Sequence, residues 1–404
     1  MSKDKQPEIR FPGFTEDWEQ RKLGEVSPLR GGFAFKSNKF VKEGIPIVRI
    51  SNILSNGSVG GEFVYYTAQE KDENYLLPDK SALLAMSGAT TGKVSILNNP
   101  NNNKVYQNQR VGYFTKTKNV DYSFISTLVR SKIFLDQLNS VLVAGAQPNI
   151  SSKDINVFEL TIPKNIEEQK KIGNFFKQLD DTITLHQRKL DLLKETKKGF
   201  LQKMFPKNGA KVPEIRFPGF TEDWEERKVG DFLNESRIKG SDGSVARKMT
   251  VKLWRKGVVP KEEIYSGSSA TQYYIRKSGQ FMYGKLDFLN QAFGIVPSEL
   301  DGYESTLDSP AFDIGENMNS IFLLEYVSLT RFYKYQGNLA NGSRRAKRIH
   351  VDTFLEMPIP TPSFEEQTKI GGFFKQLDDT ITLHQRKLDL LKETKKGFLQ
   401  KMFV

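Results

Sequence analysis

The chain has 404 residues, of which 38% are hydrophobic, and this is enough for two or three globular domains that each bury a core. It contains no cysteine, its first ten residues are polar, and no apolar run approaches the roughly 20 residues that a membrane span requires. These features argue against a disulfide framework, a signal peptide and a membrane protein, so we expect a cytoplasmic protein. The net charge of +12, from 60 Lys and Arg against 48 Asp and Glu, favours a polyanionic partner.

The chain is built from two halves that begin and end alike. The sequence PEIRFPGFTEDWE occupies residues 7–19 and returns at 213–225, and we call it the opening motif. A repeat of 35 residues closes each half, at 171–205 and 369–403, and its two copies differ at one position. Each half therefore consists of an opening motif, a middle segment that differs between the halves, and a closing segment that we call the arm.

The contrast between constant arms and unlike middle segments predicts a division of labour. Arms kept nearly identical are expected to fit the same surface, either on each other or on two copies of one partner. Middle segments without obvious similarity are expected to recognise different things. A recent duplication that has not diverged is the alternative. However, uniform sequence drift would not leave the arms nearly identical while it removed all similarity between the middle segments.

The first middle segment has Gly-, Asn- and Gln-rich stretches at apparent turns, for example at 30–37, 87–93, 106–110 and 145–151. Short strands between these turns are predicted. Side chains of Asn, Gln, Arg and Lys on such loops can bind the edges of adenine and guanine, although for most single residues Asn and Gly simply serve the turn. The candidate DNA-binding residues of this half are Lys36, Lys93, Gln109, Arg110, Gln147 and Asn149.

Each middle segment ends with a helix-like stretch and a proline-containing exit. Residues 121–141 and 317–335 are predicted to form packing helices. The exits at 161–169 and 358–367 both finish with Glu-Glu-Gln. Proline ends the preceding structure, and the acidic pair suits the positive end of the dipole at the first turn of the arm helix.

The arms show apolar residues at steps that alternate between four and three, which predicts a coiled-coil helix about 50 Å long. Two seam positions are polar in each arm, and such residues cost stability while fixing register. The histidines are interpreted as seam residues and not as metal ligands, because the chain contains only three. The seam consists of Ile172, Phe176, Leu179, Ile183, His186, Leu190, Leu193, Lys197, Phe200 and Met204, and in the second arm of Ile370, Phe374, Leu377, Ile381, His384, Leu388, Leu391 and Lys395.

Connectivity predicts the direction of the arms. The first arm delivers the chain to the second middle segment, so with a pseudo-twofold relation the second arm runs back and lies antiparallel to it. The chain end at Val404 is then expected near the opening motif. Further apolar residues beside the seam, Phe175, Leu185, Leu192 and Leu201, indicate that more than one helix packs against the arm.

The second middle segment is basic at 254–257, 283–285 and 343–348. A run such as SRRAKR at 343–348 is usually a solvated loop, and contact with phosphates is an equal alternative. The candidate DNA-binding residues of this half are Arg255, Lys256, Lys285, Arg344, Arg345 and Arg348.

No motif for catalysis is found in the sequence. GATTGK at 88–93 resembles a phosphate loop, but only three residues separate its glycines and Val94 stands where Ser or Thr should bind magnesium. A methyltransferase motif, a GxGxxG fingerprint and a His/Cys cluster are also missing. We therefore predict no catalytic residues, no metal site and no cofactor in this chain.

In combination, these motifs resemble the specificity subunits of type I restriction-modification systems, in particular staphylococcal ones. The resemblance rests on the opening motifs, the WEQRKLGEV sequence at 18–26, the GAQPNIS, IP and EEQ exit and the duplicated arms, and it covers the whole chain. It implies α/β (α+β) target-recognition domains in tandem, joined by two long antiparallel coiled-coil helices. The implied boundaries are 1–165 for the first recognition domain, 166–206 for the first arm, 207–362 for the second recognition domain and 363–404 for the second arm.

The resemblance also implies a function and partners. Each recognition domain would read one half of a bipartite asymmetric site on double-stranded DNA, and the arms would set the spacer and dock the modification subunits, usually two. Those subunits carry S-adenosylmethionine and methylate adenine N6 after flipping the base, while restriction subunits use ATP and Mg. This chain would be non-catalytic.

Two other functions are weighed against DNA recognition. A coiled-coil scaffold with two protein-binding heads would bind its partners without the steep salt dependence expected for DNA. An enzyme with an unrecognised site would need a cleft with perturbed titratable groups, and the sequence offers no clear candidates.

Overall fold

The computed structural model describes residues 6–144, 149–207, 209–262, 268–339 and 348–404. The chain divides into two compact units. Unit 1 comprises Met1–Gln187 and Arg386–Val404, and unit 2 comprises Arg188–Gln385. Each unit therefore contains one middle segment and a part of each arm. Among the described residues, no helix is long and apolar enough to cross a membrane.

Unit 1 is a mixed unit of short strands and helices. The four-stranded sheet has the order β2-β8-β5-β6, a second sheet has the order β4-β3-β7, and β1 pairs with β9. Apart from the parallel pair β3 and β7, the strand pairs described in this unit are antiparallel. The strands are β1 (Glu19–Lys22), β2 (Leu29–Arg30), β3 (Ile45–Val48), β4 (Val64–Tyr66), β5 (Ala82–Ala85), β6 (Val94–Ile96), β7 (Tyr106–Gln107), β8 (Val111–Phe114) and β9 (Glu159–Ile162). The helices are α1 (Leu23–Val26), α2 (Tyr122–Leu128), α3 (Lys132–Ala144), α4 (Ser152–Asn156) and α5 (Ile166–Lys203), whose residues beyond Gln187 belong to unit 2.

The core of unit 1 surrounds β5, and its ALLA sequence explains why. Successive side chains of a strand point to opposite faces of the sheet. Ala82 and Leu84 face an apolar cluster built on α2, α3 and the arm, whereas Leu83 and Ala85 face a second cluster under the other sheet. All four residues are buried, as expected for a strand covered on both sides.

Unit 2 has the same plan. Its four-stranded sheet has the order β11-β19-β16-β17, a second sheet has the order β12-β15-β18, β13 pairs with β14, and β10 pairs with β20. The strands are β10 (Glu225–Lys228), β11 (Leu233–Ser236), β12 (Lys239–Asp242), β13 (Met249–Val251), β14 (Val258–Pro260), β15 (Gln272–Ile275), β16 (Phe281–Tyr283), β17 (Phe293–Ile295), β18 (Glu304–Ser305), β19 (Ala311–Ile314) and β20 (Pro358–Thr361). The helices are α6 (Ser320–Val327), α7 (Thr330–Leu339), α8 (Val351–Leu355) and α9 (Phe364–Lys401), whose residues from Arg386 onward belong to unit 1.

The two middle segments therefore share a scaffold that their sequences do not reveal. Strand order β2-β8-β5-β6 in unit 1 corresponds to β11-β19-β16-β17 in unit 2, and the pair β1-β9 corresponds to β10-β20. The central strand of unit 2, β16, is again fully buried, with Phe281 and Tyr283 on one face and Met282 on the other. The predicted mixed class, in its α+β form, is confirmed.

In unit 1 the first part of α5 contacts the last part of α9. The rings of Phe175 and Phe398 lie 5.0 Å apart, and those of Phe176 and Phe403 lie 6.0 Å apart. One turn further along α5, Asp180 accepts from Lys395, which precedes Phe398 on α9. Because residue numbers rise along one helix while they fall along the other, the two segments are antiparallel.

The same contacts recur within unit 2 between the last part of α5 and the first part of α9. Phe200 lies 5.0 Å from Phe373, and Phe205 lies 6.0 Å from Phe374. Every predicted seam position in both arms is buried or half-buried. Of the residues beside the seam, Phe175 and Leu201 pack against the cores, but Leu185 and Leu192 stay exposed.

Candidate nucleic-acid interface

In unit 1, backbone hydrogen bonds hold the candidate loops side by side. The N–H of Gln109 donates to the carbonyl of Phe33 at 2.9 Å, and the N–H of Met86 donates to the carbonyl of Arg110 at 3.0 Å. The N–H of Ile150 donates to the carbonyl of Met86 at 2.9 Å. Stretches that are far apart in sequence therefore form one loop cluster.

Most of the candidate side chains in this cluster are available to a ligand. Lys36, Gln109, Arg110 and Asn149 are exposed. Lys93 is half-buried, and its ammonium donates to Ser55 Oγ at 2.7 Å. Gln147 lies outside the described residues.

An aromatic group that the sequence analysis missed lies beside these side chains. Phe33 is 43% exposed, and its ring stacks on Tyr75 with 4.8 Å between centroids. Phe35 touches Phe33 edge-on at 5.0 Å and stacks on Tyr106 at 5.4 Å. The sequence signal for this group is the alternating FAF of the RGGFAFKS stretch, in which two aromatic residues flank an alanine.

In unit 2, two of the candidate basic residues contact Asp308, Lys285 through its backbone and Arg348 through its side chain. The N–H of Lys285 donates to the carbonyl of Asp308 at 2.9 Å, and the N–H of Ile349 donates to the carbonyl of Lys285 at 3.0 Å. Arg348 lies 3.1 Å from the carboxylate of Asp308. Burial lowers the pKa of Lys285. Arg344 and Arg345 lie outside the described residues.

Arg255, a further candidate DNA-binding residue, forms an ion pair within unit 2. Both terminal nitrogens of its guanidinium donate to the Glu325 carboxylate at 2.7 Å, and the Glu325 side chain is fully buried. Burial alone would lower the pKa of Arg255, but Glu325 outweighs it and the pKa is raised. The guanidinium is therefore occupied by Glu325 and anchors the β13–β14 loop. Its neighbour Lys256 is exposed.

Glu325 also connects this loop to the arms. It accepts from Lys197 at 3.0 Å, and Lys197 in turn contacts Asp378 at 2.6 Å. Burial would raise the pKa of Glu325, but Arg255 and Lys197 outweigh it and the pKa is lowered. A polar seam residue of the arm is thus part of a four-membered ion cluster within unit 2.

Unit 1 has the same Lys–Asp pair but a different residue from the middle segment. Lys395 lies 2.5 Å from Asp180, and Arg130 lies 2.7 Å from the same carboxylate. Burial would raise the pKa of Asp180, but Arg130 and Lys395 outweigh it and the pKa is lowered. The Lys–Asp pair of the arms is therefore contacted by the cation Arg130 in unit 1 and by the buried carboxylate of Glu325 in unit 2.

The opening motif binds the start of the arm, which explains why both are repeated. Arg10 forms two hydrogen bonds with Glu168, at 2.6 and 2.9 Å. Arg216 forms the same pair with Glu366, at 2.7 and 2.8 Å. Both glutamates are 1% exposed. The second Glu of the Glu-Glu-Gln exit is therefore a buried partner of arginine, in addition to any effect on the helix dipole.

The chain end lies at the opening motif in unit 1. The N–H of Ile9 donates to the carbonyl of Lys401 at 3.0 Å, and the Lys401 ammonium lies 2.6 Å from Glu8. In unit 2 the N–H of Ile215 donates to the carbonyl of Lys203 at 3.0 Å.

Within the described ranges, no group of three or more His, Cys, Asp and Glu residues could hold a metal ion.

Comparison with known proteins identifies a matching family and two related specificity subunits. The family described as type I restriction modification DNA specificity domain matches residues 15–195 and 313–393, more than half of the chain. The MjaVIII specificity subunit of a type I restriction enzyme from Methanocaldococcus jannaschii is 27% identical over 190 residues, which cover 45% of this chain and 44% of that protein. The putative MjaX specificity subunit from the same organism is 24% identical over 443 residues, covering 95% of this chain and 92% of that protein.

Solved structures with the same fold extend over nearly the whole chain. The S subunit of a type I restriction-modification system from M. genitalium superimposes with a TM-score of 0.68, at 13% identity and with 99% of both chains covered. A chain from a study of the assembly of a type I restriction-modification system gives a TM-score of 0.51, at 14% identity and with 97% of both chains covered. The resemblance found in the sequence is confirmed: this chain belongs to the type I restriction-modification DNA specificity family, as a subunit that supplies DNA sequence specificity.

Proposed function

We propose that each unit reads one half of a bipartite asymmetric site on double-stranded DNA and that this chain is itself non-catalytic. The observation that carries the proposal is the pair of equivalent sheets with different loops. The order β2-β8-β5-β6 recurs as β11-β19-β16-β17, while the residues that the loops present are unlike. A constant scaffold with variable loops suits two readers of different sequences.

In unit 1 the exposed side chains of the loop cluster are chemically suited to DNA. Gln109 and Asn149 carry amides that match adenine, and Arg110 carries a guanidinium that matches guanine. Lys36 suits a phosphate, which positions the protein without reading sequence. Phe33 presents an aromatic face beside them.

In unit 2 the proposed contacts are mainly basic. Lys256 is exposed, and Lys285 and Arg348 are held near Asp308. Arg344 and Arg345 continue this basic stretch, and they are retained in the proposal from the sequence. Arg255 is left out because Glu325 occupies its guanidinium.

The arms are proposed to set the spacer between the half-sites and to dock modification subunits. In unit 1, Leu185 and Leu390 are 65% and 67% exposed. In unit 2, the equivalent residues Leu383 and Leu192 are 65% and 67% exposed. Exposed leucines that recur at equivalent positions are compatible with an interaction site, and two equivalent pairs suit two modification subunits.

The chemistry of the proposed complex resides in its other subunits. S-adenosylmethionine would bind to the modification subunits, and ATP and Mg to restriction subunits that join the same assembly. The proposed location is the cytoplasm, where the DNA substrate is found. This chain contributes recognition and assembly.

The decisive experiment is single-molecule sequencing of methylated adenines in DNA from cells that express this chain with a cognate modification subunit. We expect one bipartite motif with a fixed gap, absent without this chain. Exchange of residues 26–150 for the middle segment of a relative should change one half-site only. A change in both halves, or no new methylation although the subunits co-purify, would overturn the proposal and favour a protein-binding scaffold.

A further inference from the structure

A basic cavity of about 520 Å³ lies in unit 2 between the last turns of α5 and the start of α7. Its cationic lining comes from three arm lysines, Lys194, Lys197 and Lys198, and from Arg255 and Arg331. None of the lining residues carries a carboxylate. All charged residues that line the cavity are therefore basic.

Two of the five cations are already compensated within unit 2. Lys197 contacts Asp378 and Glu325, and Arg255 forms its bidentate pair with Glu325. These two cations and two carboxylates balance each other. The positive charge left at the cavity comes from Lys194, Lys198 and Arg331.

Arg331 is the least compensated of these cations. Its Nε and Nη2 atoms are buried and have no hydrogen-bond partner among the described residues. Burial lowers its pKa, as expected for a cation removed from water without a carboxylate beside it. Buried donors without partners are costly, and a negative ligand in the cavity would offset the charge at short range.

The two lysines leave the same need for an anion. Lys198 has Glu195 as its nearest carboxylate, 3.7 Å away, and both side chains are largely exposed. Lys194 is exposed on the same helix. Exposed pairs of this kind contribute little, so both ammonium groups can turn toward a ligand in the cavity.

The start of α7 also lines the cavity. Thr330 is the first residue of this ten-residue helix, Leu329 precedes it, and Ser328 caps the C-terminus of α6. The first N–H groups of a helix have no partner within it, and they form the positive end of the helix dipole. Such N–H groups commonly bind phosphate oxygens.

Unit 1 provides an internal comparison, because its arm residues are identical. The position of Ser328 corresponds to Arg130, 198 residues earlier, and Arg130 reaches across to Asp180. The position of Arg331 corresponds to Ile133, which packs against the apolar core of unit 1. A small residue and an uncompensated arginine thus distinguish unit 2 at this place.

We propose that this cavity binds a phosphate-bearing anion. Its volume falls in the range of about 300–1,000 Å³ that is usual for small-molecule sites, and suits a diphosphate or a nucleotide. The phosphate can come from a free molecule or from the backbone of bound DNA. Lys198 and Lys194 can contact it directly, and Arg331, with two guanidinium nitrogens buried in the wall, adds positive charge behind them.

Isothermal titration of the purified full-length chain with pyrophosphate, and separately with ADP, tests the proposal. We expect one site per chain, and affinity about tenfold weaker or worse in Lys198→Gln, which loses a charge-assisted contact, and in Arg331→Gln, which loses a positive charge at the cavity wall. Lys198 is exposed, so its variant should fold even if Arg331→Gln does not. The matched control is Lys396→Gln, the copy of Lys198 in the second arm, which should bind both probes as the unchanged chain does.

Two results would overturn the proposal: neither probe binds, or the Lys396→Gln control loses affinity as much as Lys198→Gln. Addition of duplex DNA with the recognised sequence then separates the sources. Competition between pyrophosphate and DNA assigns the site to a backbone phosphate, whereas independent binding assigns it to a free anion. If no methylation motif is found but pyrophosphate still binds, the proposed function fails and the anion site stands.

Discussion

Lys197 on the first arm donates to both carboxylate oxygens of Asp378 on the second arm, at 2.6 and 2.7 Å, within unit 2. Lys197 thus places a charge at a seam position where apolar residues are usual. Glu325 from α6 contacts the same ammonium, so the middle segment is joined to the arm through this lysine. This polar seam residue therefore connects the variable and constant parts of the chain in unit 2.

Replacing Lys197 with Met should destabilise unit 2 by about 3 kcal/mol, because it leaves the buried Glu325 with one cation fewer and Asp378 without its partner. Urea unfolding followed by tryptophan fluorescence in a Trp18→Phe background reports unit 2, since Trp224 and Trp254 both belong to it. Lys189→Met, at an exposed position of the same helix, is the control and should leave the midpoint unchanged. Equal midpoints for the two variants would contradict the role of the cluster.

Arg10→Leu should destabilise unit 1 by about 3–5 kcal/mol, because Glu168 would remain buried and charged without its arginine. Fluorescence of Trp18, in a chain with Trp224→Phe and Trp254→Phe, follows this transition. The double variant with Glu168→Gln should recover part of the loss, since the uncompensated charge is then removed. Arg21→Leu removes a solvent-exposed ion pair and should have no measurable effect, so a loss as large as that of Arg10→Leu would rule out the buried clamp.

The arms and opening motifs were predictable from the sequence, because near-identity at two places and a seven-residue period are visible without a structure. The Glu-Glu-Gln exit was recognised too, but the binding of Glu168 to Arg10 was not, since 158 residues separate them. The repeat shows that Glu168 has an equivalent in the other half of the chain, but only the fold shows that it contacts Arg10.

The shared scaffold of the middle segments was beyond sequence reasoning. The buried strands ALLA at β5 and FMY at β16 have no residue in common, yet both satisfy the same requirement for apolar side chains on two faces. Arg255 illustrates the same limit for the site. It reads as an exposed cation in WRKG, and its partner Glu325 lies 70 residues away.

Asp180 should make the stability of unit 1 sensitive to acid. Its pKa is lower in the folded chain than the ordinary value of 3.8, so the folded carboxylate contributes stability above that value and loses it as the pH falls through the lowered pKa. We expect the unfolding free energy of unit 1 to drop as the pH falls below about 4 and through the lowered pKa of Asp180. Asp180→Asn should reduce the steepness of this drop, and an unchanged pH profile in that variant would show that other carboxylates cause it.

Two glycines of α5 should respond in opposite ways to alanine. At Gly173 a Cβ atom would lie 2.0 Å from Ser123 Oγ and 2.6 Å from the Phe124 nitrogen, so Gly173→Ala should cost about 2 kcal/mol. At Gly199 a Cβ atom would meet nothing within 4 Å, so Gly199→Ala should stabilise by up to about 1 kcal/mol through helix propensity. Thermal unfolding distinguishes the two, and a stabilising Gly173→Ala would refute the close approach of the arm to α2.

Gln109 and Lys36 should separate base recognition from phosphate contact in unit 1. Gln109→Ala should cost about 1–3 kcal/mol on the recognised sequence and relax the specificity at one base pair, because an amide can bind adenine bidentately. Lys36→Ala should weaken binding to all sequences alike and lower the slope of log affinity against log salt by about one. Both side chains are exposed, so neither change should alter folding.

Binding titrations on the cognate duplex and on single-base variants, each at several salt concentrations, measure both effects in one series. Lys118→Ala serves as a charge-matched control for Lys36→Ala. Lys118 is exposed and follows β8, on the side away from the loop cluster in sequence. The nearby Thr115 donates a hydrogen bond to the carbonyl of Pro28. If Lys118→Ala lowers the salt slope as much as Lys36→Ala, the effect comes from net charge and the loop cluster is not the DNA-facing surface of unit 1. If only Lys36→Ala lowers it, while Gln109→Ala changes the sequence preference at constant slope, the two residues have the separate roles that their chemistry predicts.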